Sequence, residues 1–153
     1  SCLSPQAAYL QSLGLETLSL RISKSSSNAI EIARMLEKNS KVKQVHYPGL
    51  ESSPVHELAK NQYSGKFGGI LSFELDDRKT CFAFQDALKL IQRATNLNDN
   101  FTLIIHPHST IYADLSENEK AEAGISEGLL RLSVGIEDIE DLIEDLEQAL
   151  NIL

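Results

Sequence analysis

The sequence predicts a two-layer α/β domain, of the α+β kind, with a sheet of about four strands and helices on one of its faces. Three observations support this architecture. Helical and extended patterns alternate along the whole chain, and both end segments are helical. The chain has 153 residues, of which 42% are apolar, so one domain with a hydrophobic core is expected. The last helix carries a single apolar stripe, which is typical of a helix that packs on a sheet.

Residues 5–38 are predicted to be mostly helical. Ser4 precedes a proline, and this pair is typical of an N-cap followed by the first residue of a helix. Gly14 is expected to break or kink the helix, because glycine weakens helix interiors. The polar run Ser23–Asn28 is interpreted as a surface turn or as the solvated face of a helix.

Two strands are predicted in the middle of the chain, with a short helix between them. Residues 42–48, "VKQVHYP", form the first strand and end in a Pro-Gly turn. Pro54 is expected to begin the short helix, with Ser53 as its N-cap. Residues 69–75 form the second strand, which follows a glycine-rich segment. Alternation places three of its apolar side chains on one face: Leu71, Phe73 and Leu75.

Residues 79–92 are predicted to form an amphipathic helix. Its core candidates are Phe82, Phe84, Leu88 and Ile91. A strand follows at 102–107, and then a short polar helix that begins after Ser116 and ends at Gly124. The run "LLRLSVG" is the last strand. The final helix has its apolar residues at spacings of three and four: Ile136, Ile139, Leu142, Ile143, Leu146 and Leu150.

The charge balance excludes several classes of function. The chain has 14 basic and 22 acidic residues and a formal net charge of -8, which argues against binding to nucleic acids or to anionic membranes. No stretch is apolar for long enough to span a membrane, and the start lacks the basic region of a secretory signal. The two cysteines form no disulfide or metal motif, so we expect a cytoplasmic chain with reduced thiols. "HPH" lacks a third ligand at a suitable spacing, so no metal site is predicted.

Arg131 lies inside the apolar run of the last strand, just before the most acidic stretch of the chain. Because side chains alternate along a strand, Arg131 and Ser133 share one face and the neighbouring apolar residues share the other. The apolar face is expected to meet the final helix, so Arg131 points towards the sheet face without helices. The acids of the final helix are interpreted as charges that favour its N-terminus and as a solvated surface.

Two interpretations of Arg131 remain open from the pattern alone. It forms a structural ion pair with some acid of the chain, or it binds a carboxylate from outside. A guanidinium on a rigid strand offers a planar fork of donors, which matches a carboxylate with two hydrogen bonds. A face of the sheet that helices leave bare is also expected to dock against something else.

Five stretches occur in the order seen in one enzyme family. They are "LSPQAAYLQSLGLETLSLR", "VHYPGLESSPVHELAK", "GGILSFEL", "IIHPHST" and "RLSVGIEDIEDLIEDLEQAL". The chain resembles, over nearly its whole length, the carboxy-terminal part of the Cys/Met-metabolism pyridoxal-phosphate (PLP) enzymes. Members include cystathionine γ-synthase, cystathionine β-lyase, methionine γ-lyase and O-acetylhomoserine sulfhydrylase. The segment "NLNDNFTLIIHPHST" and the run "GLETLSLR" are most similar to the sulfhydrylases.

The resemblance implies that residues 1–153 are the small carboxy-terminal domain of a fold-type I PLP enzyme of methionine and cysteine metabolism. It implies that Arg131 binds the α-carboxylate of an amino-acid substrate such as O-acetylhomoserine. Thr102, Asn96 and Asp99 belong to the segment that lines the site near the substrate side chain. In a sulfhydrylase, acetate leaves from Cγ and sulfide or a thiol adds there; the γ-synthase and γ-lyase branches are the alternatives.

The chain departs from the family pattern at several positions of this segment. Asn98 stands where the pattern has glycine, which is expected to alter a tight turn. Phe101 replaces the glutamate of other branches, His108 replaces alanine, and Ile111 with Tyr112 replaces a Thr-His pair. At these positions we expect the chain to differ from typical family members in its substrate and in its level of activity.

The lysine that holds PLP in the family has no counterpart here, because no lysine of the chain lies in a Ser-x-Thr-Lys setting. The resemblance assigns that lysine, and the groups that hold PLP, to a large amino-terminal domain that is absent. We therefore expect the isolated chain to bind PLP poorly, to be inactive and to self-associate, and the full-length enzyme to be a homodimer or homotetramer. The hypothesis of another class is a non-catalytic domain that binds partners through the bare face of the sheet.

Overall fold

The computed structural model describes residues 2–153, which build one five-stranded sheet and a layer of helices. The strands are β1 (Gln44–His46), β2 (Ile70–Glu74), β3 (Gln92–Arg93), β4 (Leu103–Ile105) and β5 (Leu129–Ser133). The helices are α1 (Pro5–Glu16), α2 (Leu18–Lys38), α3 (His56–Tyr63), α4 (Arg78–Ala87), α5 (Glu117–Glu122) and α6 (Ile139–Ile152). A 3₁₀ turn, Pro107–Ser109, follows β4. The alternating α/β architecture predicted from the sequence is confirmed.

The sheet is mixed, with the strand order β1-β2-β5-β4-β3. β5 lies in the centre and pairs antiparallel with both β2 and β4, while β3 runs parallel to β4 at the edge. Four of the strands match predicted ones. The sequence analysis assigned residues 79–92 to a single helix and so missed β3, which has two residues and is exposed.

One face of the sheet and three helices, α2, α4 and α6, enclose the hydrophobic core. Phe73 pairs with Leu130 and Leu71 with Leu132 on this face, and all four are buried. The predicted alternation of β2 is confirmed. α6 contributes its stripe to the same core through three leucines with no exposed surface: Leu142, Leu146 and Leu150. Burying each of these side chains contributes about 1.5–3 kcal/mol.

The first helical segment differs from its prediction in two respects. Ser4 caps α1 as expected, its Oγ accepting from the backbone N–H of Ala7, but the helix breaks at Thr17 and not at Gly14. The run Ser23–Asn28 is helical but is not a solvated face. Ser25 is buried and donates from Oγ to the carbonyl of Val134, because α2 crosses the end of β5 at this point.

α1 and the first turns of α2 expose most of their large apolar side chains. No residue of α1 is buried, and residues 1–15 contain no charged side chain. We call this region the amino-terminal apolar surface; it consists of Leu3, Tyr9, Leu10, Leu13, Leu15, Leu18, Leu20 and Ile22. Leu20 is 72% exposed. Because these large apolar side chains are exposed and α1 buries none of its residues, this surface lacks a covering partner among the described residues.

Three details of the middle helices were predicted incorrectly. α3 begins at His56 after Val55, and Ser53 does not cap it. α4 ends at Ala87 because the chain then becomes extended, and backbone N–H groups of that extended stretch donate to the carboxylate of Asp145. Phe82 is 37% exposed and is not a core residue, whereas Phe84 is fully buried. α5, in contrast, has the predicted Ser116 cap, and Gly124 follows it with a positive φ of 71°.

The sheet face opposite the helices is only partly bare. Over its β1–β2 half, Ser72 and Glu74 are half-buried. Over its β4–β5 half, the 3₁₀ turn packs on β5, and the backbone of residues 95–98 hydrogen-bonds to Arg131 and Ser133. The prediction of a wholly bare face is therefore wrong. Across residues 2–153 no helix has the length and apolar character to cross a membrane.

Candidate functional site

Arg131 lies at the centre of β5, on the sheet face that lacks helices, as its position in the strand predicts. Its neighbours across the ladder are Ser72 on β2 and Ile105 on β4. The side chain is half-buried. Nη2 donates to the carbonyl of Thr95 over 3.4 Å, whereas Nε is buried without a hydrogen-bond partner. The guanidinium is thus held on a rigid strand with donors left to satisfy.

The charge of Arg131 is not neutralised within residues 2–153, where no carboxylate lies within ion-pair distance of it. The structural ion pair, the first of the two interpretations, is therefore not formed there. Burial lowers the pKa of Arg131, and the neighbouring Tyr112 opposes this shift. The side chain stays protonated at neutral pH because an arginine starts from a very high pKa.

A loop of residues 95–101 lies beside Arg131 and contains two of the predicted site residues. Asn96 is exposed, and its Nδ2 donates to Oδ2 of Asp99 over 2.9 Å. The other oxygen of Asp99 accepts from the backbone N–H of Asn100. The loop thus carries polar groups on its solvent side, close in the fold to the carbonyl that contacts Arg131.

Asn98 gives this loop its tight turn. Its φ is 55°, in the left-handed region that glycine adopts freely and that asparagine tolerates better than most other residues. Its backbone N–H donates to Oγ of Ser133 over 2.9 Å. The departure from glycine that the sequence shows at this position therefore keeps the left-handed turn.

Thr102 lies at the end of the loop, but its side chain points inwards. It is 1% exposed. Its Oγ1 donates to Oε2 of Glu137 over 2.8 Å and accepts from the N–H of Gly135 over 2.9 Å. Its own N–H donates to Oε1 of Glu137. These internal contacts occupy the hydroxyl, so the side chain of Thr102 anchors the end of the loop.

Two residues of the site were missed in the sequence. Glu137 was interpreted as a charge at a helix N-terminus, and its partner Thr102 is 35 positions away, beyond the range of helix and turn patterns. Thr95 contributes only its backbone carbonyl, which no side-chain pattern reveals. The signal available for Glu137 was its place in "SVGIED", directly after the strand that carries Arg131.

A cavity of about 310 Å³ opens beside the loop and the end of β4. Thr95, Ile105 and Thr110 line it on the sheet side and Phe82 lines it on the α4 side. The exposed face of Phe82 lines this cavity, and its ring also makes an edge-to-face contact with His106. Ile105 pairs with Arg131 in the sheet and the carbonyl of Thr95 contacts its guanidinium, so the cavity adjoins the candidate site.

The two histidines of "HPH" make internal contacts. His106 is 2% exposed; its Nε2 donates to the carbonyl of Glu127 and its Nδ1 accepts from the hydroxyl of Ser109, both over 2.8 Å. Burial lowers the pKa of His106 by more than its hydrogen bond raises it, so the ring is neutral. His108 lies 3.1 Å from a carboxylate oxygen of Glu117. His106 is therefore a hydrogen-bonded residue at the end of β4.

The described lysines do not fit the role of a PLP-binding lysine. Lys120 is the one buried lysine in residues 2–153, and its Nζ is 2.9 Å from Oε1 of Glu117. The other lysines are exposed, and none lines the cavity beside Thr95. A lysine that forms a Schiff base is normally desolvated in a pocket or placed near another cation. The groups beside Arg131 fit a carboxylate.

Comparisons with known proteins agree over almost the whole chain. The model of the family described as Cys/Met metabolism PLP-dependent enzyme matches residues 1–151. Chloroplastic cystathionine gamma-synthase 1 of Nicotiana tabacum is 43% identical over 150 residues, which cover 97% of this chain and 28% of that protein. L-Methionine gamma-lyase of Pseudomonas putida is 44% identical over 149 residues, which cover 97% of this chain and 37% of that protein.

A solved structure shows the same fold. The O-acetylhomoserine sulfhydrylase of Wolinella succinogenes superposes with a TM-score of 0.82 and 48% sequence identity. The match covers 97% of this chain and 39% of that one. This chain therefore spans well under half the length of the relatives it matches.

Proposed function

This chain belongs to the Cys/Met metabolism PLP-dependent enzymes, and from this premise we propose that it is the carboxy-terminal, substrate-binding domain of such an enzyme. The observation that carries the proposal is the unpaired guanidinium of Arg131. Its buried Nε has no partner, and a buried donor without a partner costs about 1–3 kcal/mol. An arrangement that retains such a donor is explained if a carboxylate ligand satisfies it.

Arg131 would hold the α-carboxylate of an amino acid and thereby fix the orientation of the rest of the substrate. Two parallel hydrogen bonds from a guanidinium restrict both the position and the rotation of a carboxylate. The strand restricts the guanidinium in turn, because β5 is hydrogen-bonded on both sides. The substrate side chain would then extend towards the 95–101 loop, where Asn96 and Asp99 present their polar groups.

The chemistry at the amine end of the substrate belongs, in this proposal, to a second domain that carries the lysine. PLP supplies an electron sink for the carbanions of such reactions. The amino-terminal apolar surface supports the presence of a covering domain, because eight large apolar side chains there are exposed. The matched relatives are also more than twice as long as this chain.

We assign the reaction to the sulfhydrylase branch, in which sulfide or a thiol replaces the acetate of O-acetylhomoserine at Cγ. The similarity of "GLETLSLR" and of the 96–110 segment to the sulfhydrylases supports this branch. Overall identity does not separate the branches, because sulfhydrylase-type relatives are 42–48% identical and a γ-synthase and a γ-lyase are 43% and 44% identical. The γ-synthase and γ-lyase reactions are the alternatives.

The second candidate function is a non-catalytic domain that binds a partner. The amino-terminal apolar surface favours it, since that surface needs a cover whether or not the cover is catalytic. This surface is not the bare sheet face that the sequence predicts for partner binding. The two candidates differ because only the first requires Arg131 to bind an amino-acid carboxylate.

Kinetics of the full-length gene product distinguish these functions. We would measure release of acetate from O-acetylhomoserine with sulfide, and then with cysteine as the acceptor, and elimination from methionine. Arg131→Gln is the test variant. Arg34→Gln is the matched control, because Arg34 on α2 is exposed, lies 3.4 Å from Oε1 of Glu31 and does not line the cavity beside Thr95.

We expect acetate release with sulfide to be the fastest reaction. Arg131→Gln is expected to reduce kcat/KM by about a hundredfold or more, because binding and alignment of the carboxylate both fail. Arg34→Gln should retain the rate. If methionine or cysteine is the better substrate, the branch assignment is wrong. If Arg131→Gln retains the rate, the carboxylate role of Arg131 is wrong.

A further inference from the structure

Glu137 connects the start of the last helical segment to the end of the loop that contacts Arg131. One carboxylate oxygen accepts from the N–H of Thr102 over 2.5 Å and the other accepts from its hydroxyl over 2.8 Å. The hydroxyl accepts in turn from the N–H of Gly135. The carbonyl of Glu137 accepts from Nδ2 of Asn28 on α2 over 2.9 Å. The side chain and the backbone carbonyl of Glu137 therefore both accept hydrogen bonds from other segments.

Gly135 allows this close arrangement. A Cβ at this position would overlap both the carbonyl of Asn100 and the carboxylate of Glu137. The next residue, Ile136, donates from its N–H to the same carbonyl over 3.0 Å. The end of β5 and the end of the loop are thus packed around one glycine, with the carboxylate of Glu137 between them.

Besides the bond from Ile136 to the carbonyl of Asn100, the loop is fixed at three points, and the first of them is Arg131. The carbonyl of Thr95 accepts from Arg131 at the start of the loop. Ser133 accepts from the N–H of Asn98 in its middle. Glu137 holds its end through Thr102. Because no acid orients the guanidinium within residues 2–153, its direction depends on where the loop places that carbonyl.

We propose that Glu137 is a positioning residue for Arg131: it anchors the 95–101 loop through Thr102 and so sets the direction of the guanidinium that receives the substrate carboxylate. This inference rests on the proposed role of Arg131 and adds a residue to it. Glu137 itself does not contact the substrate. A displacement of about 1 Å at a binding group reduces turnover by up to about a hundredfold, so loosening this anchor should be measurable.

The test compares two ligands that differ only at the carboxylate. The affinities of the full-length gene product for L-norvaline and for L-norvalinamide are measured by calorimetry, and their ratio reports recognition of the carboxylate. Both ligands are measured on the same preparation, so the ratio does not depend on the fraction of protein that is folded. A variant that only lowers stability therefore leaves the ratio unchanged.

Four variants separate the anchor from general effects of mutation. Glu137→Gln replaces one acceptor oxygen by a donor, and Thr102→Val removes the hydroxyl while keeping the shape of the side chain. Thr102→Ser retains the hydroxyl and is the conservative rescue. Glu144→Gln makes the same charge change at an exposed position of α6 and is the matched control.

We expect Glu137→Gln and Thr102→Val each to reduce the ratio about tenfold, and the double variant to do no more than either, because both break one unit. Thr102→Ser and Glu144→Gln should keep the ratio of the parent protein. If Arg131→Gln removes the preference for norvaline but Glu137→Gln and Thr102→Val retain it, the inference about Glu137 is overturned and Arg131 keeps its role. If the parent protein shows no preference, or Arg131→Gln retains it, the proposed function fails and the inference fails with it.

Discussion

α1 and α6 are both rich in leucine, yet they have opposite environments. α6 has no exposed surface on Leu142, Leu146 and Leu150, and acidic residues cover its other side. α1 has no buried residue, and the first charged residue of the chain is Glu16 at its end. The apolar content of a helix therefore does not decide whether it is buried. The distribution of polar residues around a helix indicates whether one face or most of its surface packs against other elements.

This contrast divides the molecule into a packed core and the exposed amino-terminal apolar surface. The sheet, α2, α4 and α6 form a core whose buried side chains pack on one another. The amino-terminal apolar surface has no such partner in residues 2–153. We therefore expect mutations in the two parts to affect different measurements: folding of the chain for the first, and association with the rest of the enzyme for the second.

Leucine truncations test the contrast most strongly. Leu146→Ala should lower the free energy of unfolding of this chain by about 3 kcal/mol, since it leaves a cavity in the core. Leu10→Ala, at a side chain that is 58% exposed, should change it by less than about 0.5 kcal/mol. Urea unfolding followed by circular dichroism measures both. In the full-length protein, Leu10→Ala should become destabilising, and a null effect there would argue against a covering domain.

Carboxylates give the second test. The side chain of Asp145 on α6 accepts from the N–H groups of Lys89, Leu90 and Ile91 over 2.8–3.0 Å. Asp145→Asn places an amide donor against these donors and should lower the unfolding free energy by about 2 kcal/mol. Gln11→Glu adds a carboxylate to exposed α1 and should leave the isolated chain unchanged. Equal losses from both variants in urea unfolding would contradict the division into two parts.

Asn98 is attached to the packed core, because its backbone N–H donates to Oγ of Ser133 on β5. Asn98→Gly should leave the unfolding free energy within about 0.5 kcal/mol, since glycine adopts a positive φ freely. Asn98→Val should lower it by about 1 kcal/mol or more, because a β-branched residue is strained at a φ of 55°. Equal thermal midpoints for the two variants would show that the loop rearranges.

The smallest of these effects is the pH dependence that His106 contributes. Burial lowers its pKa in the folded state, whereas the unfolded side chain titrates near about 6.5. The unfolded state then binds the proton more readily, so this contribution is complete above about pH 6.5 and is lost as the pH falls through the folded-state pKa. Urea unfolding between about pH 5 and pH 7.5 should show a smaller slope for His106→Gln than for the parent.

Local patterns predicted the parts of the fold that depend on local rules. Alternation placed Leu71 and Phe73 on the core side and Arg131 on the other, and the cap at Ser116 was correct. The errors arose where distant contacts decide the structure. Ser25 is buried because β5 ends beneath α2, and α4 stops early because Asp145 on another helix binds the chain that follows.

In the candidate site, too, some residues could be predicted from local patterns and others depend on distant contacts. The direction of Arg131 followed from its strand, and the resemblance to the family marked Asn96, Asp99 and Thr102. The pairing of Thr102 with Glu137 could not be predicted, because it joins residues 35 positions apart. A hydrogen bond accepted by a backbone carbonyl of a loop, as at Thr95, likewise has no signature in the side-chain pattern.

The most direct test of the account is covalent capture of PLP. This chain and the full-length product of its gene are each incubated with PLP and treated with borohydride, and the adduct is quantified and mapped by mass spectrometry. We expect one adduct per chain in the full-length protein, on a lysine outside residues 1–153, and no stoichiometric adduct on this chain alone. A stoichiometric adduct on one of the lysines of this chain, or none in the longer protein, would contradict the division of binding and chemistry between two domains.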